Sequence, residues 1–257
     1  MKVQFEHNGS TYTANLDHPL DLSIPVRDGL ENPNAYWAPP IEFSPVVAGD
    51  FIGSTAQGGP VNFMNVRLNP HGNGTHTECV GHISTEKFTI NDCLRRFHFL
   101  AKLATVYPTK MPDGDRVVLR KQLEELVQPG EAEALILRAL PNNDHKLTAN
   151  YSGTNPPYLH HEAADWLVQC GIEHLLLDLP SVDREEDGGK LLSHRAFWRY
   201  GNGPDQIRKN CTITELIFVG NEIQDGVYLL NLQIASLELD ASPSKPVMYR
   251  LTVDGGR

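Results

Sequence analysis

A mixed α/β fold in a single domain is what this sequence predicts, on three observations. Short apolar runs of strand length recur along the 257 residues, and segments with helical spacing separate some of them. Apolar residues make up 40% of the chain, enough for one sizeable core. No internal repeat, low-complexity tract or linker divides it, so one mixed α/β domain over residues 1–257 is the simplest architecture.

Residues 2–15 read as a β-hairpin. Val3 and Phe5 alternate with polar residues, His7-Asn-Gly-Ser10 makes the turn, and Thr11-Tyr-Thr13 returns. Leu20-Asp-Leu-Ser-Ile-Pro25 is a short apolar segment stopped by its proline. Residues 27–45 hold four prolines and read as loop. Tyr36 and Trp37 in that loop either line a pocket for a flat substrate or cover the core, and packing is the favoured reading. Two strands are expected within 46–68, around Gly58-Gly59-Pro60, with Val61, Phe63, Val66 and Leu68 turned inward. Thr89-Ile-Asn-Asp92 is a capped helix start, and that helix ends near Arg96.

Further strands are expected at 99–107, 134–140, 172–179, 212–219, 227–239 and 247–253. Glu215 falls at the centre of the fourth of these. Helices are expected at 120–128, stopped by Pro129-Gly130, and at 161–170, where Ala163, Ala164, Leu167 and Val168 form the apolar stripe. A short helix starts at Leu191-Leu-Ser-His194 and carries Phe197 and Trp198. Residues 184–190 read as a solvated acidic loop, and residues 200–210 as a polar insertion.

The formal charge of −10 argues against a nucleic-acid or anionic-membrane surface, because both need a basic patch. Cys79, Cys93, Cys170 and Cys211 are widely spaced and form no Cys-x-x-Cys pair, so reduced thiols are expected. Cys79 is assigned a packing role. The first residues show no apolar run or cleavage pattern, and no stretch reaches the length of a membrane span. A cytoplasmic location is the default expectation.

The chemistry concentrates in Asn69-Pro-His-Gly-Asn-Gly-Thr-His-Thr-Glu-Cys-Val-Gly-His82. His71, His76, His82 and Glu78 offer imidazole and carboxylate, the usual donors to zinc or manganese. The interleaved glycines let the backbone bend so that several donors converge. His76 and Glu78, two apart, share one side of an extended segment. A phosphate-cradling loop is the competing reading, but the stretch lacks the lysine of such loops. His160, His161 and His174 lie outside any such pattern and are read as non-ligands.

Gly74-Thr-His-Thr-Glu-Cys-Val-Gly-His82 resembles the Gly-Thr-His-x-Asp-x-x-x-His pattern of the cyclase-like metal hydrolases, the family of bacterial kynurenine formamidase and isatin hydrolase. Leu177-Asp-Leu-Pro-Ser-Val-Asp183 resembles its Asp-x-Pro-Ser-x-Asp segment, and Ser242-Pro243 is similar to its closing strand. The resemblance spans roughly residues 20–252, with residues 1–19 left as the N-terminal hairpin. Two departures stand out: glutamate replaces aspartate at Glu78, and the spacing from His71 to His76 is one residue longer than the pattern.

The resemblance implies a swivelling β/β/α-type fold with a central mixed sheet or barrel-like core and peripheral helices. It implies one or two divalent ions, Zn2+ or Mn2+. His71, His76 and Glu78 would hold the first, and Glu78, His194 and Glu215 the second, with Glu78 as the bridge. His82 is the expected proton shuttle to a leaving nitrogen. The implied reaction is arylformamidase-like hydrolysis of a C–N bond in a small aromatic or cyclic amide, in a homodimer or higher homo-oligomer. Ring opening of the isatin-hydrolase, lactonase or cyclase kind is the alternative, as is a member that binds metal or ligand without turnover.

Overall fold

The computed structural model describes residues 1–254. Nine strands carry the architecture: β1 (Lys2–His7), β2 (Ser10–Asn15), β3 (His76–Glu78), β4 (His98–Val106), β5 (Ala134–Ala139), β6 (His174–Leu177), β7 (Thr212–Glu215), β8 (Gly226–Ile234) and β9 (Ala241–Asp254). The helices are short: α1 (Ile90–Cys93), α2 (Arg120–Leu126), α3 (His161–Gln169) and α4 (Leu192–Trp198).

Seven strands close into a barrel in the order β3-β7-β6-β5-β4-β8-β9 and back to β3. β4, β5, β6 and β7 run parallel to one another, and the remaining pairings are antiparallel. This is the mixed α/β fold with a barrel-like core that the sequence and its resemblance led us to expect. Closure leaves these strands no open edge. The β1–β2 hairpin forms as expected and extends the sheet by pairing β2 with the far end of β9.

Strand alternation sorts the core into two compartments. On β5, Ala134 and Ile136 join Leu176, Leu230 and Met248 inside the barrel. Leu135, Leu137 and Ala139 point the other way and pack with Leu123, Leu167 and Phe197 of the helices. All four cysteines are buried and free, and Cys79 belongs to the barrel interior, in keeping with a packing role.

Three expectations need correction. Val61, Phe63 and Val66 do not turn inward; they are exposed, on an arm where Glu42–Pro45 pairs with Met64–Arg67. Alternation in a two-stranded arm shows which residues share a face but not whether anything covers that face. The strand from Thr212 stops at Glu215 rather than running through it, because Leu216 takes a positive φ of 54° and turns the chain. Tyr36 and Trp37 do not pack into the core; Trp37 is 65% exposed and both line a cavity. Among the described residues, no helix is long and apolar enough to cross a membrane.

Candidate metal centre

β3 is three residues long and closes the barrel between β7 and β9. Its register sets His76 opposite both Glu215 and Pro243, and Glu78 opposite both Ile213 and Ala241. Between them, Thr77 points inward, where its Oγ1 lies 2.8 Å from Thr214 Oγ1. His76, Glu78 and Glu215 therefore share the outer face, under the helices, and all three are buried.

Two turns and one helix bring in the other imidazoles. The loop before β3 is tied by its asparagines: Asn69 N–H donates to Asn73 Oδ1 at 2.7 Å, and Gly72 N–H donates to Asn69 Oδ1 at 3.2 Å. This loop sets His71 Nδ1 3.1 Å from Glu78 Oε2. The extra residue between His71 and His76 is thus absorbed without parting the two side chains. After β3, a 3-10 turn over Val80–His82 brings His82 back, its Nδ1 3.8 Å from Glu78 Oε2. α4 supplies His194, whose Nε2 lies 3.1 Å from Glu78 Oε1 and 4.0 Å from Glu215 Oε1. His76 Nε2 is 3.5 Å from Glu215 Oε2.

Neighbouring groups fix these rings. His76 Nδ1 lies 2.9 Å from Gly74 O, which sets the N–H there and aims Nε2 at the cluster. Asp183 accepts from Ser193 N–H at 2.7 Å and from His194 N–H at 3.3 Å, and its Oδ2 is 2.6 Å from His194 Nδ1. It caps α4 and orients the histidine at once. Glu215 Oε1 accepts from Val182 N–H at 3.0 Å. Asp240, just before β9, lies 2.8 Å from His71 Nε2 and 3.3 Å from His82 Nδ1.

Charge follows geometry. Burial works against a charged His71, but its hydrogen bond to Asp240 and the Glu78 carboxylate 3.1 Å away outweigh it and raise its pKa to about 10. His194 is likewise opposed by burial yet raised to about 10 by Asp183 and Glu78. Glu78 resists burial because His82, His194 and His71 surround it, and it is held well below the usual carboxylate range. Asp240 is also lowered, chiefly by its hydrogen bonds to His71 and His82. His174 differs: burial lowers it to about 3, and it sits as a neutral ring beside Thr212 Oγ1 at 2.8 Å.

Two buried atoms in the cluster, His76 Nε2 and Glu78 Oε2, make no aligned hydrogen bond; the ring nitrogens facing Glu78 Oε2 are His71 Nδ1 at 3.1 Å and His82 Nδ1 at 3.8 Å. Orphaned buried polar atoms are costly, and a cation between them removes the cost. Donors of His71, His76 and Glu78 lie within 4.8 Å of one another, as do those of Glu78, His82 and His194. The residues fit a divalent ion, with Glu78 common to both sets. A third such set, His71, His82 and Asp240, overlaps these. A further set, His160, His161 and Glu162, lies at the start of α3 toward solvent and outside this cluster.

All six residues singled out in the sequence (His71, His76, Glu78, His82, His194 and Glu215) fall in one neighbourhood. Asp240 was missed. A cavity of about 450 Å³ opens beside the cluster, lined by His71, His82, His194 and Glu215 together with Tyr36, Ser181 and Arg184. It gives small molecules access to the donors.

Comparison with known proteins accords with this architecture. A family model named Cyclase and described as "Putative cyclase" matches residues 20–184, more than half of the chain. The chain belongs to the Cyclase family. Among its relatives is the kynurenine formamidase of Bacillus cytotoxicus, 26% identical over 233 residues, covering 90% of this chain and 97% of the relative. The kynurenine formamidase of Bacillus thuringiensis (strain Al Hakam) is 27% identical over 232 residues, covering 89% and 96%. Among solved structures, an isatin hydrolase bound to the product analogue thioisatinate superposes with a TM-score of 0.65 at 14% identity, covering 91% of this chain and 93% of that one. The likeness at that identity is one of fold. The family match ends at residue 184 and so takes in His71 through His82 and Asp183; His194, Glu215 and Asp240 reach the site through the barrel's register and α4.

Proposed function

We propose that this Cyclase-family chain is a metal-dependent hydrolase that cleaves a C–N bond in a small aromatic or cyclic amide, as an arylformamidase does. The observation that carries the reading is the convergence of imidazoles on the buried Glu78 beside an open cavity, with His76 Nε2 and Glu78 Oε2 making no aligned hydrogen bond. His71, His76 and Glu78 would hold one Zn2+ or Mn2+; Glu78 and His194, joined by Glu215 whose Oε1 lies 4.0 Å from His194 Nε2, would hold a second, leaving His82, which also converges on Glu78 and His194, for proton transfer. When bound, such ions polarise a carbonyl and lower the pKa of a bound water to about 7.

The chain's own residues supply the rest. Glu78 can bridge because its two oxygens face different imidazoles, His194 at Oε1 and His71 at Oε2. His82 is the partly exposed ring on the cavity wall and is assigned proton delivery to the leaving nitrogen. Asp240 Oδ2, 3.3 Å from His82 Nδ1, holds that ring at the cavity wall. Likeness to the kynurenine formamidases supports an N-formyl aniline as the substrate to try first on this chain. A homo-oligomer is part of the proposal, and the exposed apolar side chains of the arm, Val61, Phe63, Met64 and Val66, are its candidate surface.

The test is a panel of N-formyl anilines, isatin and lactones against protein stripped by chelator and reloaded with zinc or manganese. Turnover lost on stripping and restored by the ion supports the reading. Tight ion binding with no turnover of any panel member overturns it in favour of a binding role.

A further inference from the structure

The cavity wall contains a turn, Ala35 to Ala38, that breaks a local rule. Ala38 N–H donates to Ala35 O at 3.1 Å, closing a four-residue turn. Both central residues have positive φ, 55° at Tyr36 and 52° at Trp37. Turns of this kind select asparagine and glycine, because larger side chains crowd the backbone there. Two adjacent aromatic residues in this conformation are costly, and such cost persists only where the surroundings enforce it.

The surroundings do enforce it. Ala35 N–H donates to Gly72 O at 2.9 Å, and Trp37 N–H donates to Ser152 Oγ at 2.9 Å. Asn34 Nδ2 donates to Ala38 O at 2.8 Å. A β-carbon at Gly72 would lie 2.3 Å from Ala38 Cβ, so the turn rests directly on the loop that presents His71. Tyr36 and Ser181 line the same cavity as His71, His82, His194 and Glu215, and their side chains share a hydrogen bond there. Ser181 Oγ accepts from Asp183 N–H at 3.1 Å. The serine hydroxyl is therefore free to donate to the phenol oxygen, which leaves the Tyr36 O–H to be aimed into the cavity.

We propose that Tyr36 donates a hydrogen bond to the carbonyl oxygen of the ligand in this cavity, and that the turn is strained in order to place that donor. The inference rests on the hydrolase reading above and narrows the substrate to a carbonyl compound small enough for its oxygen to reach between Tyr36 and the donor cluster. The tyrosine keeps its proton throughout. It acts as a fixed dipole that strengthens as negative charge grows on that oxygen.

The experiment uses zinc-loaded full-length protein and benzamide, a planar, uncharged carbonyl probe, titrated by calorimetry. Tyr36→Phe keeps the ring and should bind the probe at least tenfold more weakly, with unchanged zinc content. On whichever N-formyl aniline the wild type turns over, KM should rise about as much as the probe Kd and kcat should fall as well, because the contact strengthens as charge grows on the oxygen. Tyr36→Gly relieves the backbone, so it should lose as much turnover while unfolding at or above the wild-type temperature; a packing role predicts a lower temperature. Probe affinity within twofold of wild type in Tyr36→Phe, loss of zinc from it, or no probe binding by the wild type overturns the inference. Tyr36-dependent binding without turnover of any substrate sinks the hydrolase reading and leaves the inference standing. Turnover equal in both proteins does the reverse.

Discussion

Zinc affinity should rise steeply with pH, by about two protons' worth, and the structure says which protons. His71 and His194 are both held at about 10 in the metal-free protein, each by two carboxylates. Glu78, Asp183 and Asp240 lie below the usual carboxylate range and bring no proton to the exchange. A metal ligand must present a bare imidazole nitrogen, so loading near pH 7 releases one proton from each of the two histidines. Two protons displaced means an apparent Kd that falls about a hundredfold per pH unit between pH 6 and 8. Competition against a chelator of known pH dependence measures this directly, and calorimetry in buffers of different ionisation enthalpy counts the protons independently. The stability of the metal-free protein should respond in the opposite sense. A histidine whose folded pKa exceeds its unfolded value of about 6.5 stabilises fully below pH 6.5, and that contribution is lost as pH rises toward about 10. Thermal midpoints of stripped protein should therefore fall over that window while midpoints at saturating zinc stay level, because the loaded and the unfolded chain both lack these two protons. A slope below one proton per zinc, or parallel trends in the two midpoints, would refute the reasoning.

Three more expectations separate the roles in the cluster. His76→Ala and Glu78→Ala should lose zinc and turnover together, whereas His82→Ala should retain zinc by atomic absorption and lose about 10²- to 10⁴-fold in kcat, the usual span for a general acid or base. If His82→Ala comes out stripped, the division between ligand and shuttle is wrong. Asp240→Asn should keep its zinc and slow turnover at least tenfold, because the partner that orients His71 and His82 becomes neutral; unchanged kcat would remove Asp240 from the machinery. Gly72→Ala should cost about 1–3 kcal/mol in urea unfolding, since its new carbon would lie 2.3 Å from Ala38 Cβ and 3.0 Å from Ala35 O.

What the sequence disclosed depended on how locally each feature is encoded. His71 to His82 was readable because four donors and three glycines fall within twelve residues. Asp183, His194 and Glu215 were readable only through the family resemblance, since nothing in their spacing ties them to β3. Asp240 was missed because Leu-Glu-Leu-Asp240 looks like any strand end. Its nearness follows from the pairing of Ala241 with Glu78, a contact across 163 positions of chain. The barrel's closure was hidden for a similar reason: β3 is too short to show alternation. The hairpin at 2–15 and the helices near 120 and 161 were visible because turn residues and apolar spacing act over a few positions. Tyr36 was misread because backbone strain leaves no mark in composition.

The same protons that compete with zinc also explain why the fold need not depend on it. Glu78 is fully buried between His71, His82 and His194, and without compensation its charge would press against closure of the barrel at β3. Protonated His71 and His194 supply that compensation in the metal-free state, and Asp240 and Asp183 balance them in turn. Ion binding then exchanges positive charge for positive charge on one framework, unlike a small zinc module whose ligands have no core behind them. Here a core on both faces of the barrel holds β3 through its pairings with β7 and β9. Chelation should therefore lower the unfolding temperature while leaving the far-ultraviolet circular dichroism spectrum unchanged at 25 °C. A stripped protein that is unfolded at pH 7 would show that the histidines do not stand in for the ion.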